Sequence, residues 1–278
     1  MQGILYLVAT PIGNLGDMTE RAIETLKEVD LIAAEDTRNS IKLLNHYEIK
    51  TPMTAYHEHN KYEKADELVH KLLEGTNIAV ITDAGTPGIS DPGEVLARKA
   101  LDNGIRVTTL PGCCACINAL IISGLPTRRF CFEAFLPSDK KERKQVLDEL
   151  KTETRTTIIY EAPHHLIKTL NELYSELGDR RLTIVKELTK KFENIKETTL
   201  SEALLFYENN EPRGEYVLVL QGVDRQELVL KEIGKWEEMS IEDHLKMYLD
   251  EGDDKKEAMK KVAKDRGISK RDVYQALI

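Results

Sequence analysis

The stretch "AVITDAGTPGISDPG", residues 79–93, decides the fold. A short apolar run ends at Asp83, and the nine residues from Gly85 to Gly93 then hold three glycines and two prolines. A plain connector needs one such residue. Glycine lets the backbone approach a partner closely, and proline holds a turn in place. The stretch therefore reads as a buried strand running into a loop built to present main-chain atoms.

Two more loops of this type follow apolar runs. They are "ATPIGNLGD" (9–17) after "ILYLVAT", and "LPGCCAC" (110–116) after "IRVTT". Helical patterns lie between the runs: 16–30, 40–47, 61–77, 93–104 and 115–124, with a further short strand "LIAAE" at 31–35. Asp17 and Glu20 have the spacing of a capping box for the first helix. Strand–helix alternation predicts a parallel α/β sheet with helices on its faces. In such sheets ligands settle outside the carboxyl ends of the strands, where these three loops fall.

The pattern pauses over "GLPTRRFCFEAFLP" (124–137), which predicts a domain boundary. It then restarts with strands over "TTIIYEA", "RLTIVKE" and "EYVLVLQG" and helices over 141–152, 164–177 and 200–208. The expected organisation is an α/β domain over 1–124, a second over 125–224, and a helical extension over 225–278. Residues 255–278 carry eight basic and three acidic side chains on a chain whose net charge is −9. That asymmetry suits either a nucleic-acid contact or a solvated helix pair around "RGIS".

At 278 residues the chain exceeds most single cores, and its 41% hydrophobic and 31% charged shares are ordinary for a globular protein. No apolar run approaches the ~20 residues that span a bilayer. The N-terminus reads as a first buried strand and not a signal peptide, so the expected location is cytoplasmic. The four cysteines, Cys113, Cys114, Cys116 and Cys131, lack the spacing of a zinc site, so no metal is expected. Neither G-x-x-x-x-G-K-[ST] nor G-x-G-x-x-G is present, which argues against a phosphate-loop or dinucleotide enzyme. Asp83 at a strand end would repel polyphosphate. It suits a ligand with a cationic or hydroxyl-rich portion, such as S-adenosylmethionine with its ammonium, sulfonium and ribose.

Several motifs in one order carry a resemblance: "LYLVATPIGNLGDMTERAIETLKEVDLIAAEDTR", "YHEHN", "ITDAGTPGISDPG", "SGLPTRRFCFEAFLP", "YEAPHHLIKTL", "ELTKKFE" and "RGEYVLVLQG". Over about residues 3–222 the chain resembles the small-subunit ribosomal RNA 2′-O-methyltransferases of the tetrapyrrole-methylase-like superfamily. The tail looks like that family's C-terminal extension. The resemblance implies two α/β domains with a cleft, S-adenosylmethionine in the cleft, a homodimer, and methylation of a cytidine 2′-hydroxyl in 16S rRNA of the small ribosomal subunit. It places Pro11, Gly13, Asp83, Gly85, Thr86, Gly88, Cys114 and Ala115 at cofactor positions of the first half, and Tyr160, Leu188 and Gly214 at those of the second. The family usually has Pro-Ser or Ala-Asn where Cys113-Cys114 stands here, a change that a backbone contact tolerates.

A ribose hydroxyl is a poor nucleophile, so a proton acceptor or a stabilising cation is expected nearby. The polar clusters offer Glu35, Asp36 and Arg38 in "AEDTR", and Lys186 and Glu187 in "VKELTK", as catalytic candidates. His57, His59, Glu161 and His164 are further polar residues of the motifs. Arg128, Arg129, Lys190 and Lys191, with Lys264, Lys270 and Arg271 in the tail, are candidate phosphate contacts. Two other readings compete: a precorrin-type C-methyltransferase of the same superfamily, and a non-catalytic ribosome-assembly protein that retains the fold.

Overall fold

A computed structural model describes residues 1–277. The chain divides into two compact units, residues 1–143 with 156–221, and residues 144–155 with 222–278. In order, the elements are β1 (Ile4–Val8), α1 (Glu20–Glu28), β2 (Leu31–Ala34), α2 (Thr37–His46), β3 (Met53–Ala55), α3 (Lys61–Leu73), β4 (Ile78–Ile81), α4 (Gly93–Asp102), β5 (Arg106–Leu110) and α5 (Ala115–Ile122). They continue with β6 (Phe130–Phe135), α6 (Lys140–Leu150), β7 (Thr156–Glu161), α7 (Pro163–Leu177), β8 (Arg181–Lys186), β9 (Asn194–Thr199), α8 (Leu200–Glu208) and β10 (Tyr216–Leu220). Four helices close the chain: α9 (Arg225–Gly234), α10 (Ile241–Asp250), α11 (Lys255–Asp265) and α12 (Lys270–Gln275).

The first unit holds two five-stranded sheets. One is parallel throughout, in the order β3-β2-β4-β1-β5. Its central strand, "IAVI", is buried at every residue, as a strand covered on both faces requires. One face packs Leu68, Leu72 and Leu96 against Leu5 and Val80; the other packs Leu26 and Leu44 against Val8, Ile32 and Ile81. Because β4, β1 and β5 are neighbours, the three Gly/Pro loops leave the same edge of the sheet.

The second sheet is mixed, in the order β6-β7-β10-β8-β9, with only β6 and β7 parallel. Its central strand β10 is also wholly buried. α5 precedes the boundary expected at 124, yet its Cys116, Ala119 and Leu120 pack on Ile158, Val185 and Val217 of this sheet. At β6 the register shifts between Phe132 and Phe135, with Ala134 in the left-handed region at φ 51°. Such a bulge re-aims a side chain, here Phe135.

Three strands, β3, β6 and β9, lie outside the runs read from sequence, and all are edge strands. The capping box expected from Asp17 and Glu20 is not formed. Thr19 caps α1 by accepting from the Ala22 amide, and Asp17 ends a 3₁₀ turn capped by Asn14. Thr19 is the residue with extended backbone at the helix entry, which is what a cap needs.

In the second unit, α10 to α12 bury Leu245, Ala258, Val262, Ala263 and Val273 together. His244 is fully buried, stacked on Trp236 at 3.8 Å, and accepts at Nδ1 from Arg266 Nε at 3.1 Å. Burial and the Arg266 charge hold its pKa below the ordinary histidine value. Asp254 and Ser269 cap α11 and α12 on either side of the "RGIS" turn.

Candidate active site

A cavity of about 490 Å³ lies in the first unit where the carboxyl-end loops of the parallel sheet meet the second sheet. The volume falls in the range of small-molecule sites. Of the cofactor residues expected from sequence, Asp83, Gly85, Thr86, Cys114, Ala115, Tyr160 and Leu188 line it, as does the catalytic candidate Glu35. Pro11 and Gly13 flank the lining residue Ile12, Gly88 lies between Thr86 and Ile89, and Gly214 precedes Glu215.

The loop after β4 is tied down from three directions. Gly85 exchanges backbone hydrogen bonds with Thr10 at 2.9 and 3.1 Å. Thr86 Oγ1 donates to the Cys113 carbonyl at 2.8 Å. Asp91 accepts at its carboxylate from the amides of Gly88, Ile89 and Gly93, all within 3.0 Å. Gly85 takes φ +87°, and a Cβ there would crowd Ile12 and the Cys113 carbonyl at 3.3–3.4 Å. The glycines and prolines thus do what their density suggested: they bend bare backbone into a lip.

Glu35 follows β2 directly with its carboxylate at the lip, accepting from the Asp83 amide at 3.3 Å. Burial raises its pKa above the ordinary value, and the charges of Asp83, Asp91 and Asp36 add to the effect. Asp36 and Arg38 turn elsewhere. Asp36 caps α2 through the Arg38 amide at 2.8 Å and holds the exposed Arg38 guanidinium in a two-pronged pair at 2.7 and 3.1 Å. Those hydrogen bonds from Arg38 draw its pKa down to about 2. Neither residue lines the cavity.

A second loop, after β8, carries Leu188 to the cavity. Glu187 and Thr189 sit in the left-handed region at φ 51° and 65°. Glu187 Oε1 accepts from the Glu215 amide at 2.9 Å and from Lys190 Nζ at 3.0 Å, and Lys190 reaches Glu215 at 2.7 Å. Burial alone would raise the Glu187 pKa; the Glu215 amide and Lys190 outweigh it and bring it below the ordinary value. Lys190 also roofs Gly13, where a Cβ would stand 2.4 Å from its Cγ. Of the four phosphate candidates in this unit, Lys190 is therefore already paired with two carboxylates, whereas Arg128, Arg129 and Lys191 are exposed. Lys264, Lys270 and Arg271 are exposed on α11 and α12.

The wall across from the lip is made by Tyr160, whose hydroxyl accepts from the Cys116 amide at 3.0 Å, and by Phe135, edge-on to it at 5.7 Å. Cys114 Sγ and Cys116 Sγ stand 3.3 Å apart at the start of α5. The hydrogen bond between them holds the Cys114 thiol down at about 6 against the opposing effect of burial, and it joins burial in pushing Cys116 up. Glu161 is buried, accepting from the Ala162 amide at 2.8 Å and from Thr169 Oγ1. His57 lies beside His59, with Nδ1 buried and without a hydrogen bond.

Among the lining residues that sequence reading missed are Ile12, Asp91, Phe135, Val185, Glu215, Tyr216 and Val217. Asp91 carried the one signal that was readable, an acidic residue inside a Gly/Pro loop with free amides to satisfy. No cluster of metal-ligating residues occurs among the described residues, and none of their helices is long and apolar enough to cross a membrane.

The family model of the tetrapyrrole (corrin/porphyrin) methylases matches residues 4–204. Over 273 residues the chain is 49% identical to the ribosomal RNA small subunit methyltransferase I of Halalkalibacterium halodurans, covering 98% of this chain and 94% of that one. It is 47% identical to the Bacillus subtilis protein of the same name, with 99% and 94% covered. The chain belongs to the tetrapyrrole methylases and, within them, to the ribosomal RNA small subunit methyltransferase I family. Among solved structures, the methyltransferase CobJ matches with a TM-score of 0.59 at 18% identity, covering 80% of this chain and 95% of that one. A uroporphyrin-III C-methyltransferase from Thermus thermophilus complexed with S-adenyl homocysteine matches at 0.55 and 21% identity, with 79% and 97% covered. The resemblance drawn from the motifs and the tetrapyrrole-methylase fold class are both borne out.

Proposed function

We propose that this chain is an S-adenosylmethionine-dependent methyltransferase acting on ribosomal RNA of the small subunit, and that it methylates a cytidine 2′-hydroxyl in 16S rRNA. The observation that carries the reading is the cavity at the strand tips, which joins a backbone lip to carboxylates in a chain nearly half identical, end to end, to proteins of that name. The residues fit the donor. Ile12, Ala84, Leu188 and Val217 offer apolar surface for a purine, and Glu35 and Asp83 offer carboxylates to ammonium and hydroxyl groups. When bound, the donor supplies an electrophilic methyl group on a sulfonium.

The protein then has to align one ribose oxygen and take its proton. Glu35 is the group we assign to the proton, since it lines the cavity with a carboxylate made more basic by burial. Asp36 positions Arg38 at the rim of α2, where a guanidinium meets phosphate. Lys186 and Glu187 act at the second loop, Glu187 by holding Lys190 and the Glu215 amide so that Leu188 stays on the cavity wall. Arg128, Arg129, Lys191, Lys264, Lys270 and Arg271 are proposed RNA contacts. Further parts of the proposal are a homodimer at work in the cytoplasm and an organisation into 1–124, 125–224 and a 225–278 extension.

The test is incubation with labelled S-adenosylmethionine and small subunits lacking the modification, followed by mapping of alkali-resistant linkages. Label at one cytidine ribose is expected. In a parallel incubation with a tetrapyrrole intermediate, label on that intermediate and none on the subunits would favour the C-methylating reading. Binding without transfer to either would favour an assembly protein.

A further inference from the structure

The four cysteines are not equivalent. Cys131 Sγ lies 3.1 Å from Thr157 Oγ1, and Cys113 Sγ lies 3.7 Å from the Asp17 carbonyl. Cys114 and Cys116 face each other at 3.3 Å. They occupy the cap and second position of α5, so both sit on backbone fixed by the helix start, where Asn118 bonds the Cys114 carbonyl through Nδ2 at 2.9 Å and through its amide at 3.0 Å. Cys114 opens on the cavity, while Cys116 is 4% exposed and lies behind it. One thiol is thus reachable by a small oxidant that enters the cavity, and the second waits beside it as a resolving partner. Zinc does not explain the pair, since no metal-ligating cluster occurs among the described residues.

We propose that Cys114 and Cys116 are a modification site, converted by hydroperoxides into a disulfide that reshapes the cavity wall and weakens donor binding. The Cys114 sulfur attacks the peroxide, the O–O bond breaks, and a sulfenic acid and an alcohol (water, from hydrogen peroxide) result. The Cys116 sulfur then attacks the Cys114 sulfur and releases the oxygen as a second water, which takes up the Cys116 proton. Two thiols have lost two electrons and two protons, and the hydroperoxide has gained them. The sulfurs have to close from 3.3 Å to about 2.05 Å. That closure draws Cys114 back from the cavity toward Cys116. It also loads the Cys116 amide, whose acceptor is the Tyr160 hydroxyl on the same wall. The formation of the bond stands on this geometry alone; its effect on donor binding rests on the reading of the cavity given above.

The experiment uses the full chain, reduced and then treated with hydrogen peroxide. Peptide mapping after thiol blocking is expected to show a 114–116 bond with Cys113 and Cys131 still alkylatable. Calorimetry with S-adenosylhomocysteine is expected to show affinity lower by about tenfold, restored by dithiothreitol. A Cys113→Ser, Cys131→Ser double variant keeps the response, and Cys116→Ser loses it. A map without the bond overturns the proposal, as does a bond that leaves affinity unchanged. Should the reduced protein not bind S-adenosylhomocysteine at all, the gate falls with the donor reading, while the peptide map still decides the bond.

Discussion

Two loops approach the cavity, and they hold their shape with a different balance of glycine and side-chain ties. The lip after β4 places Gly85 and Gly88 at two of its three left-handed positions, with Ser90 at the third, and lets one carboxylate, Asp91, gather three amides. The loop after β8 puts Glu187 and Thr189, not glycine, in the left-handed region; Lys190 and the Glu215 amide secure Glu187, and the Thr189 amide donates to the Glu193 carboxylate. Left-handed non-glycine residues cost about 1–2 kcal/mol each and persist only where surroundings dictate them. The first loop therefore draws on glycine and its own Asp91, besides its ties to Thr10 and Cys113; the second draws on its own lysine and glutamate and on Glu215 just before β10.

The largest expected effect comes where the lip touches chemistry. Glu35→Gln should lower turnover by at least about a hundredfold in the subunit methylation assay. It should also raise the melting temperature at neutral pH. A raised folded pKa means that Glu35 contributes stability below the ordinary glutamate range and loses it as pH rises through the folded value, so the advantage of the neutral side chain builds across that window and is complete above it. A variant with full turnover would remove Glu35 from the proton step.

Asp91→Ala should cost about 2–3 kcal/mol, from hydrogen bonds to a charged group, and should abolish donor binding as the lip opens. Denaturation and calorimetry measure the two effects, and intact binding would mean the lip holds without its carboxylate. Gly214→Ala tests the other loop. Its Cβ would stand 2.6 Å from Glu187 Cδ at φ +83°, so a loss of about 1–2 kcal/mol is expected, with Leu188 displaced.

The smallest effect separates the loops by pH. Lys190→Ala should destabilise by about 1 kcal/mol, since the pair is partly exposed. Glu187 has a lowered folded pKa, so its contribution is present above the ordinary glutamate range and fades as pH falls through the folded value. The gap in melting temperature between the native protein and Lys190→Ala should shrink in acid. A gap independent of pH would show that packing over Gly13, not charge, is what Lys190 supplies.

The same contrast explains what was legible. The buried strands β1, β4, β7, β8 and β10 announce themselves as apolar runs, and the three loops as Gly/Pro clusters. The edge strands β3, β6 and β9 do not. β9 reads "NIKETT", polar because one side meets water, and β6 sits among the prolines that marked a boundary. Asp36 follows a strand and is a catalytic candidate beside Glu35, but it is the residue that enters α2, and its carboxylate satisfies the helix start. Phe135 reaches the cavity through a bulge at Ala134, which alternation along the strand does not foretell.

The lip has a bearing on drug escape. Parts of it tolerate no added atom: at Gly93 an added methyl group would strike the Asp91 carboxylate at 2.7 Å and the Gly88 amide at 2.8 Å. A change at Gly88 or Gly93 that evicted a compound would also disturb the carboxylate that gathers the lip's amides, so resistance should arise at the apolar walls instead.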